Sequence, residues 1–153
     1  MQRGERQSAR GAYWVRDPRG AIQDIGGVEN RGRRGTPVAL IRVGTSRGVY
    51  VRREDLPRDT AAREALLLRF FGAQDGETAD GLGGDRAALR KVGIIDRVPN
   101  GSDGIPVLTY TFGQVCETLT AIDYGAECGN IAAGIPLFAS LHGWCAGPET
   151  GGA

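Results

Sequence analysis

Residues 124–138 read YGAECGNIAAGIPLF, and the fold that the rest of the sequence implies is organised around this stretch. After Cys128 it contains only small or apolar residues and one Asn. The composition predicts a helix over about residues 130–141, ended by Gly143, and Pro136 in its second turn indicates a kink or a late start. A helix that is apolar around its whole circumference is buried on all sides, so we expect the other elements to pack around it.

The start of this helix is a candidate reactive site. The first N–H groups of a helix lack partners within it, and the helix dipole adds partial positive charge in front of them. A carboxylate or phosphate can bind there, and a cysteine thiol there loses its proton more easily. Two interpretations follow: Cys128, Gly129 and Asn130 form an anion pocket with a reactive thiol, or Cys128 is an ordinary small residue capping a buried structural helix.

The composition is that of one soluble globular domain. The 153 residues are 41% apolar and 24% charged, with a formal net charge of +1. Residues 1–35 contain eight Arg and four acidic residues, giving +4, and the remainder contains 11 basic and 14 acidic residues, giving −3. No apolar run could cross a membrane and no apolar signal core is present, so we predict a cytoplasmic protein without a membrane partner. The net charge does not indicate nucleic-acid binding.

The cysteines do not show the spacing of a disulfide framework or a metal site. There are three, an odd number that favours free thiols in a reducing cytoplasm. A zinc site formed by Cys116, Cys128, Cys145 and His142 is the alternative, but no C-x-x-C pair is present. We therefore predict no metal and no cofactor.

Lysine usage singles out one residue. Of the 19 basic residues only Lys91 is lysine, and the other 18 are arginine. An ammonium group in a desolvated site can give up its proton and act as a base, whereas guanidinium cannot. Lys91 is therefore a candidate catalytic base, and the alternative is a solvated surface position where codon usage happened to leave a lysine.

The N-terminal segment, residues 1–35, is rich in Arg and Gly and has no sustained hydrophobic period. We predict a disordered basic tail, with a basic arm that contacts nucleic acid as the alternative.

A glycine-bracketed loop between two predicted strands is a second candidate anion site. Residues 37–43 form a short apolar run and residues 49–51 a second one, and both predict strands. Between them the hydroxyls of Thr45 and Ser46, together with the backbone from Gly44 onward, can hold an anion. The spacing is not that of a P-loop, and a plain hairpin turn explains the pattern equally well.

The remaining segments predict one further helix and several strands. Asp59 caps a helix over residues 61–71 whose Leu and Phe side chains share one face, and Gly72 suits its end. Strands are predicted over residues 91–95, 107–116 and 119–124. The glycine-rich residues 80–85 imply close backbone approach, but they lack the context of a dinucleotide-binding fingerprint.

Six blocks of sequence, taken in order, match the pattern of a known family. They are LIRVGTSRG at 40–48, REDLP at 53–57, DGLGG at 80–84, KVGII at 91–95, YTFGQV at 110–115 and CGNIAAG at 128–134. In these blocks the chain resembles the PrpF-type isomerases, which include 2-methylaconitate cis-trans isomerase, 4-oxalomesaconate tautomerase and methylitaconate isomerase.

The resemblance implies an α+β fold like that of diaminopimelate epimerase. In that fold two similar domains each wrap a curved, mostly antiparallel sheet around a hydrophobic central helix, and the active site lies between the domains. Family members are more than twice as long as this chain. The resemblance therefore implies that residues 36–147 are an incomplete protein's first domain and that residues 148–153 are a tail.

The resemblance also implies a reaction and its residues. The family moves a proton on an unsaturated di- or tricarboxylate, such as methylaconitate, oxalomesaconate or aconitate. Lys91 matches the family's catalytic lysine and Cys128 its second active-site position. The expected substrate-binding residues are Gly44, Thr45, Ser46, Gly83, Gly84, Gly129 and Asn130.

Two alternatives to an active isomerase stay open from the sequence. The chain is a truncated, non-catalytic fragment or anion-binding module that lacks the second domain, or it is a basic-tailed binding module. A fragment would expose apolar surface, and unpaired strand edges favour a homodimer or a separate partner that carries the second domain.

Overall fold

The computed structural model describes residues 12–14, 35–73, 82–84, 86–98 and 107–144 of the chain. These residues form a six-stranded sheet in the order β1-β2-β3-β4-β5-β6. The strands are β1 (Ala12–Trp14), β2 (Pro37–Val43), β3 (Ser46–Arg52), β4 (Lys91–Val98), β5 (Val107–Val115) and β6 (Ile122–Asp123). Within this described sheet β3 and β4 are parallel, and the other four neighbouring pairs are antiparallel. The predicted α+β class is confirmed.

The first predicted strand has the bounds expected from its apolar run, and it forms a hairpin with β3. Val43 pairs with Ser46, so Gly44 and Thr45 alone make the turn. Gly44 has a φ of 57°, a conformation that glycine adopts without steric cost. The backbone here is therefore a hairpin turn, and anion binding by it stays a prediction.

Helix α1 (Thr60–Phe70) begins where its capping residue predicts. The Asp59 carboxylate accepts a hydrogen bond from the backbone N–H of Ala62 over 2.8 Å. Gly72 follows the helix with a φ of 89°, which is the expected end signal. The inner face of α1 packs on one side of the sheet in a buried cluster that contains Leu67, Phe70, Phe71, Val49, Val51 and Val92.

The predicted apolar helix is divided into α2 (Gly129–Ala132) and α3 (Ile135–Leu141). Pro136 lies in the first turn of α3, and because it has no N–H it cannot continue the hydrogen-bond ladder back to Ala132. The interruption predicted from Pro136, as a kink or a late start, is present: residues 133–134 form a turn and α3 starts at Ile135. Gly143 follows α3 with a φ of 64°.

Helices α2 and α3 lie on the face of the sheet opposite α1. Ile131 and Phe138 pack there in a buried cluster with Tyr50, Ile95 and Phe112. The expectation that this helix is buried on all sides is wrong for the described part of the chain. Its inner side meets the sheet, whereas Leu137 is 52% exposed and Leu141 is 38% exposed.

Two further segments differ from the sequence-based expectation. Strand β6 is two residues long rather than six, because Leu119 takes a φ of 57° and residues 117–120 turn instead of extending. Strand β1 pairs with β2 from within the segment predicted to be a disordered tail. The tail predicted at residues 148–153 lies outside the described residues.

Candidate active site

Lys91 and Cys128 are in contact. Lys91 is the first residue of β4, and its Nζ donates a hydrogen bond to the Cys128 Sγ over 3.4 Å. The same Nζ lies 5.2 Å from the centre of the Phe112 ring, a cation–π distance. The unique lysine and the cysteine at the helix cap, which are 37 positions apart in the sequence, thus form one half-buried pair.

Cys128 is the N-cap residue of α2, and this position changes its acidity. Partial burial by itself raises the pKa of the thiol, but hydrogen bonds from the backbone N–H of Ile131 and from Lys91 favour the thiolate. The positive charge of Lys91 and the N–H of Asn130 act in the same direction. The net result is a pKa below the ordinary value of a cysteine.

Helix α2 packs close to the sheet, and this close packing places Cys128 next to Lys91. Gly48 and Gly134 leave room for the close approach: a Cβ on Gly48 would lie 2.6 Å from Ile131 Cδ1, and one on Gly134 would lie 2.7 Å from Tyr50 Cζ. The Tyr50 hydroxyl donates to the Ile131 carbonyl over 2.7 Å. Small residues and one buried hydrogen bond therefore fix the helix that carries the thiol.

The hairpin turn of β2 and β3 is tied to α2 by the side chain of Asn130. Its Nδ2 donates to Thr45 Oγ1 and to Ser46 Oγ, both over 3.3 Å. A Cβ on Gly44 would lie 3.0 Å from Asn130 Oδ1, and this tight approach and the positive φ of Gly44 both favour glycine there. Both hydroxyl oxygens act as acceptors here, which leaves their O–H protons free of Asn130. Thr45 is exposed, whereas Ser46 is only 4% exposed.

Gly83 and Gly84, two further predicted substrate-binding residues, are held by contacts of a different kind. A Cβ on Gly83 would meet the Phe71 ring at 2.5 Å, and one on Gly84 would meet the Leu89 side chain at 2.7 Å. The Gly83 carbonyl accepts a hydrogen bond from Arg47 Nη2 over 2.7 Å. The structure therefore places this loop against α1 and the lead-in to β4, and its role in substrate binding stays a prediction.

Two tyrosines on the α2 face of the sheet differ in how their hydroxyls are used. Tyr50 is fully buried and bonded to Ile131. The Tyr110 hydroxyl is also buried but has no hydrogen-bond partner among the described residues. Burial, followed by the charges of Cys128 and Glu127, raises the pKa of Tyr110 to about 12, so it stays protonated near neutral pH.

Gln114 is a residue whose part in this site the sequence reasoning missed. It lies opposite Lys91 in the β4–β5 pair and donates to two backbone carbonyls just before Lys91. It stands in one of the matched sequence blocks, but local pattern gave no reason to assign it a role, because its partners are 24 and 27 positions away.

No group of three or more His, Cys, Asp and Glu side chains is arranged to hold a metal ion among the residues that the structure describes. Cys145, a member of the alternative zinc set, lies outside them. In the same described part of the chain, no helix is long and apolar enough to span a membrane.

The fold and this group of side chains define a class of protein. It is an α+β domain in which an amine and a thiol, two groups suited to exchanging protons, meet beside hydroxyl donors. The family model described as PrpF protein matches residues 33–149, and the chain belongs to this family. The family predicted from the six sequence blocks is confirmed.

Named relatives share the same region. The chain is 38% identical over 103 residues to 3-methylitaconate isomerase of Eubacterium barkeri, which covers 67% of this chain and 26% of the relative. It is 39% identical over 107 residues to 4-oxalomesaconate tautomerase of Pseudomonas putida, covering 70% and 29%. It is 35% identical over 113 residues to 2-methyl-aconitate isomerase of Cupriavidus necator, covering 70% and 28%.

A solved structure agrees with these relatives. The crystal structure of a methylitaconate-delta-isomerase superposes with a TM-score of 0.64 at 36% identity, covering 74% of this chain and 29% of that chain. The chain thus spans between a quarter and a third of the length of the proteins it matches.

Proposed function

We propose that this chain carries the catalytic pair of an isomerase or tautomerase that moves a proton on an unsaturated di- or tricarboxylate. The contact between Lys91 Nζ and Cys128 Sγ at 3.4 Å is the observation that carries the proposal. Three relatives bear the names of a methylitaconate isomerase, an oxalomesaconate tautomerase and a methylaconitate isomerase, and all three names describe this reaction class.

In the proposed reaction the Lys91 amine removes a proton from a carbon next to a carboxylate or carbonyl group. The electron pair left on that carbon spreads over the neighbouring double bond, and a proton is added at the far end of the allylic system. Cys128 supplies this second proton, since a thiol with a lowered pKa is a better acid near neutral pH. The double bond moves, and the substrate loses one proton and gains another. The reaction starts from the neutral amine and the thiol and leaves an ammonium and a thiolate, so proton transfer across the 3.4 Å contact restores the pair.

The substrate carboxylates need hydrogen-bond donors, and the turn beside the pair offers them. The hydroxyls of Thr45 and Ser46 have protons to donate because Asn130 occupies their acceptor side. The backbone of Gly44 and Gly129 lies next to these side chains in sequence. Gly83 and Gly84 complete the proposed substrate-binding set from the loop before β4.

The proposal extends to the architecture of the whole enzyme. The mostly antiparallel sheet with an apolar helix on one face supports a diaminopimelate-epimerase-like fold, in which a second domain closes the site. A cytoplasmic location agrees with the free thiols of Cys116 and Cys128.

The test is proton exchange in heavy water. Purified chain is incubated with 2-methylaconitate, aconitate or oxalomesaconate and followed by NMR, beside Lys91→Met as the matched variant that keeps most of the side-chain length without the amine. Deuterium uptake or isomer interconversion that Lys91→Met abolishes is the expected result. Exchange that persists in Lys91→Met would show that another group removes the proton.

A second candidate function is a non-catalytic fragment that binds anions or a partner domain. The exposed apolar side chains of Leu137 and Leu141 on α3 favour it. This candidate predicts a folded chain without exchange activity, which gains activity only when a protein carrying the remaining part of the relatives' length is added.

A further inference from the structure

Gln114 fixes the backbone that leads into Lys91. Its Nε2 donates to the Arg90 carbonyl over 2.8 Å and to the Ala87 carbonyl over 3.1 Å. The backbone N–H of Val115 donates to the same Arg90 carbonyl over 3.0 Å. Both carbonyls belong to the short 3₁₀ turn, Ala87–Leu89 with its cap Arg90, that immediately precedes β4.

The chemistry of these contacts requires an amide nitrogen. Carbonyl oxygens only accept hydrogen bonds, so the N–H₂ end of Gln114 must face them and its Oε1 must face away. A third carbonyl, that of Val115, lies 3.3 Å from the same nitrogen. Removal of the two N–H donors would take away the side-chain attachment of the turn to β5. The N–H of Val115 would still donate to the Arg90 carbonyl and the N–H of Arg90 to the Ala87 carbonyl, so the turn would be held more loosely.

The position of this turn decides where the amine of Lys91 lies. Lys91 directly follows the cap residue Arg90 and sits opposite Gln114 across the β4–β5 pair. Its Nζ reaches the sulfur of Cys128 from the end of a long flexible side chain, at 3.4 Å. Displacement of a reacting group by about 1 Å can cost on the order of a hundredfold in rate, so the backbone at the base of this side chain needs a firm anchor.

We propose that Gln114 is a positioning residue for the Lys91–Cys128 pair. It anchors residues 87–90 to β5 so that the amine of Lys91 meets the sulfur of Cys128. The consequence for catalysis rests on the proposed function above, whereas the consequence for the thiol does not.

The test follows the pH dependence of Cys128 alkylation by iodoacetamide in the full chain, measured by peptide mass spectrometry. Lys91→Met sets the shift that complete loss of the amine causes. Gln114→Met keeps the side-chain length but has no N–H donor. We expect it to move the alkylation midpoint in the same direction by at least about half as much.

The same variant separates positioning from binding in the heavy-water assay. We expect Gln114→Met to lower kcat at least about tenfold and to change KM less than about threefold. Gln114→Asn, which keeps the amide on a shorter stem, should fall between Gln114→Met and the wild type in both measurements. Asp59→Ala removes the cap of α1 on the other face of the sheet, and it should leave the Cys128 midpoint in place.

The outcomes separate the proposed function from the positioning role of Gln114. A folded Gln114→Met with the wild-type midpoint, beside a shifted Lys91→Met, overturns the positioning role and leaves the proposed function standing. If Gln114→Met does not fold, an unshifted Gln114→Asn overturns it in the same way. If the wild-type chain shows no exchange even with a protein that carries the remaining part of the relatives' length, while both midpoints shift, the proposed function is overturned and the positioning role is supported. An unshifted Lys91→Met shows that the contact does not affect the thiol in solution and overturns the positioning role, and the heavy-water assay alone then decides the proposed function.

Discussion

The hydroxyl of Tyr50 and the carbonyl of Ile131 are joined by a 2.7 Å hydrogen bond that connects the centre of the sheet to the first turn of the helix behind Cys128. Tyr50 is fully buried, and burial is the main cause that raises its pKa far above the ordinary value. The hydroxyl therefore stays protonated and keeps donating throughout the pH range in which the protein is handled.

Tyr50→Phe should lower the free energy of unfolding by about 1–2 kcal/mol, because the Ile131 carbonyl loses its buried donor. Tyr110→Phe is the matched control, since the Tyr110 hydroxyl has no partner among the described residues and its removal should cost less than about 0.5 kcal/mol. Urea denaturation of both variants measures the difference. Equal losses of unfolding free energy in the two variants would show that the hydrogen bond from Tyr50 to Ile131 does not stabilise the fold.

Gly134→Ala should destabilise the chain by about 1–3 kcal/mol, because its Cβ would overlap the Tyr50 hydroxyl and lie 2.7 Å from Cζ of the rigid ring. The cost should fall in the Tyr50→Phe background, which a double-mutant cycle in urea would show. Gly129→Ala is the control: nothing lies within 4 Å of its Cβ, and it should raise stability by up to about 1 kcal/mol. A Gly134→Ala chain as stable as the wild type would place α2 and α3 farther from the sheet.

Lys91→Met should shift alkylation of Cys128 to higher pH. The lysine hydrogen bond and charge are among the causes that hold the pKa of this thiol below its ordinary value. Without them the thiolate forms only as pH rises toward the ordinary cysteine pKa of about 8.5. Lys91→Arg keeps a cation and should shift the curve less. A curve that Lys91→Met leaves in place would show that the contact does not affect the thiol in solution.

Cys116 should be alkylated with a midpoint near pH 6. A hydrogen bond from Thr118 is the main cause that lowers the pKa of this thiol to about 6, and N–H groups of Thr120 and Ala121 also point at the sulfur. The reactive thiolate is present above that pH and disappears below it. Thr118→Val should move the midpoint upward, whereas Thr111→Val, an exposed threonine that makes none of these bonds, should not. The same peptide mass spectrometry as for Cys128 gives both curves.

Local sequence patterns were sufficient for elements whose determinants lie close together in the chain. The apolar run from Pro37 to Val43 set the bounds of β2, and Asp59 with Gly72 set both ends of α1. The division of the apolar helix was also readable, because Pro136 acts on the carbonyl four residues before it.

Other features depend on partners far away in the sequence and could not be read from it. One side of α3 is exposed because the described elements pack only against its other side, and the composition of the helix does not reveal which side this is. Strand β6 was predicted too long because Leu119 takes a positive φ. Leucine rarely adopts this conformation, so the sequence does not indicate a turn there. The bonds of Gln114 to the turn before Lys91 exist only once β4 and β5 have paired.

The parallel pairing of β3 with β4 sets the distance between Lys91 and the hairpin of β2 and β3. Because the two strands run in the same direction, Lys91 at the start of β4 lies beside Gly48 near the start of β3, at the end of the sheet where Asn130 is bound to the hairpin. If β4 ran the other way, its eight residues would carry Lys91 roughly 23 Å toward the opposite end of the sheet. The connection through α1 sets the direction in which β4 enters the sheet. This direction determines whether the amine of Lys91 and the thiol of Cys128 meet.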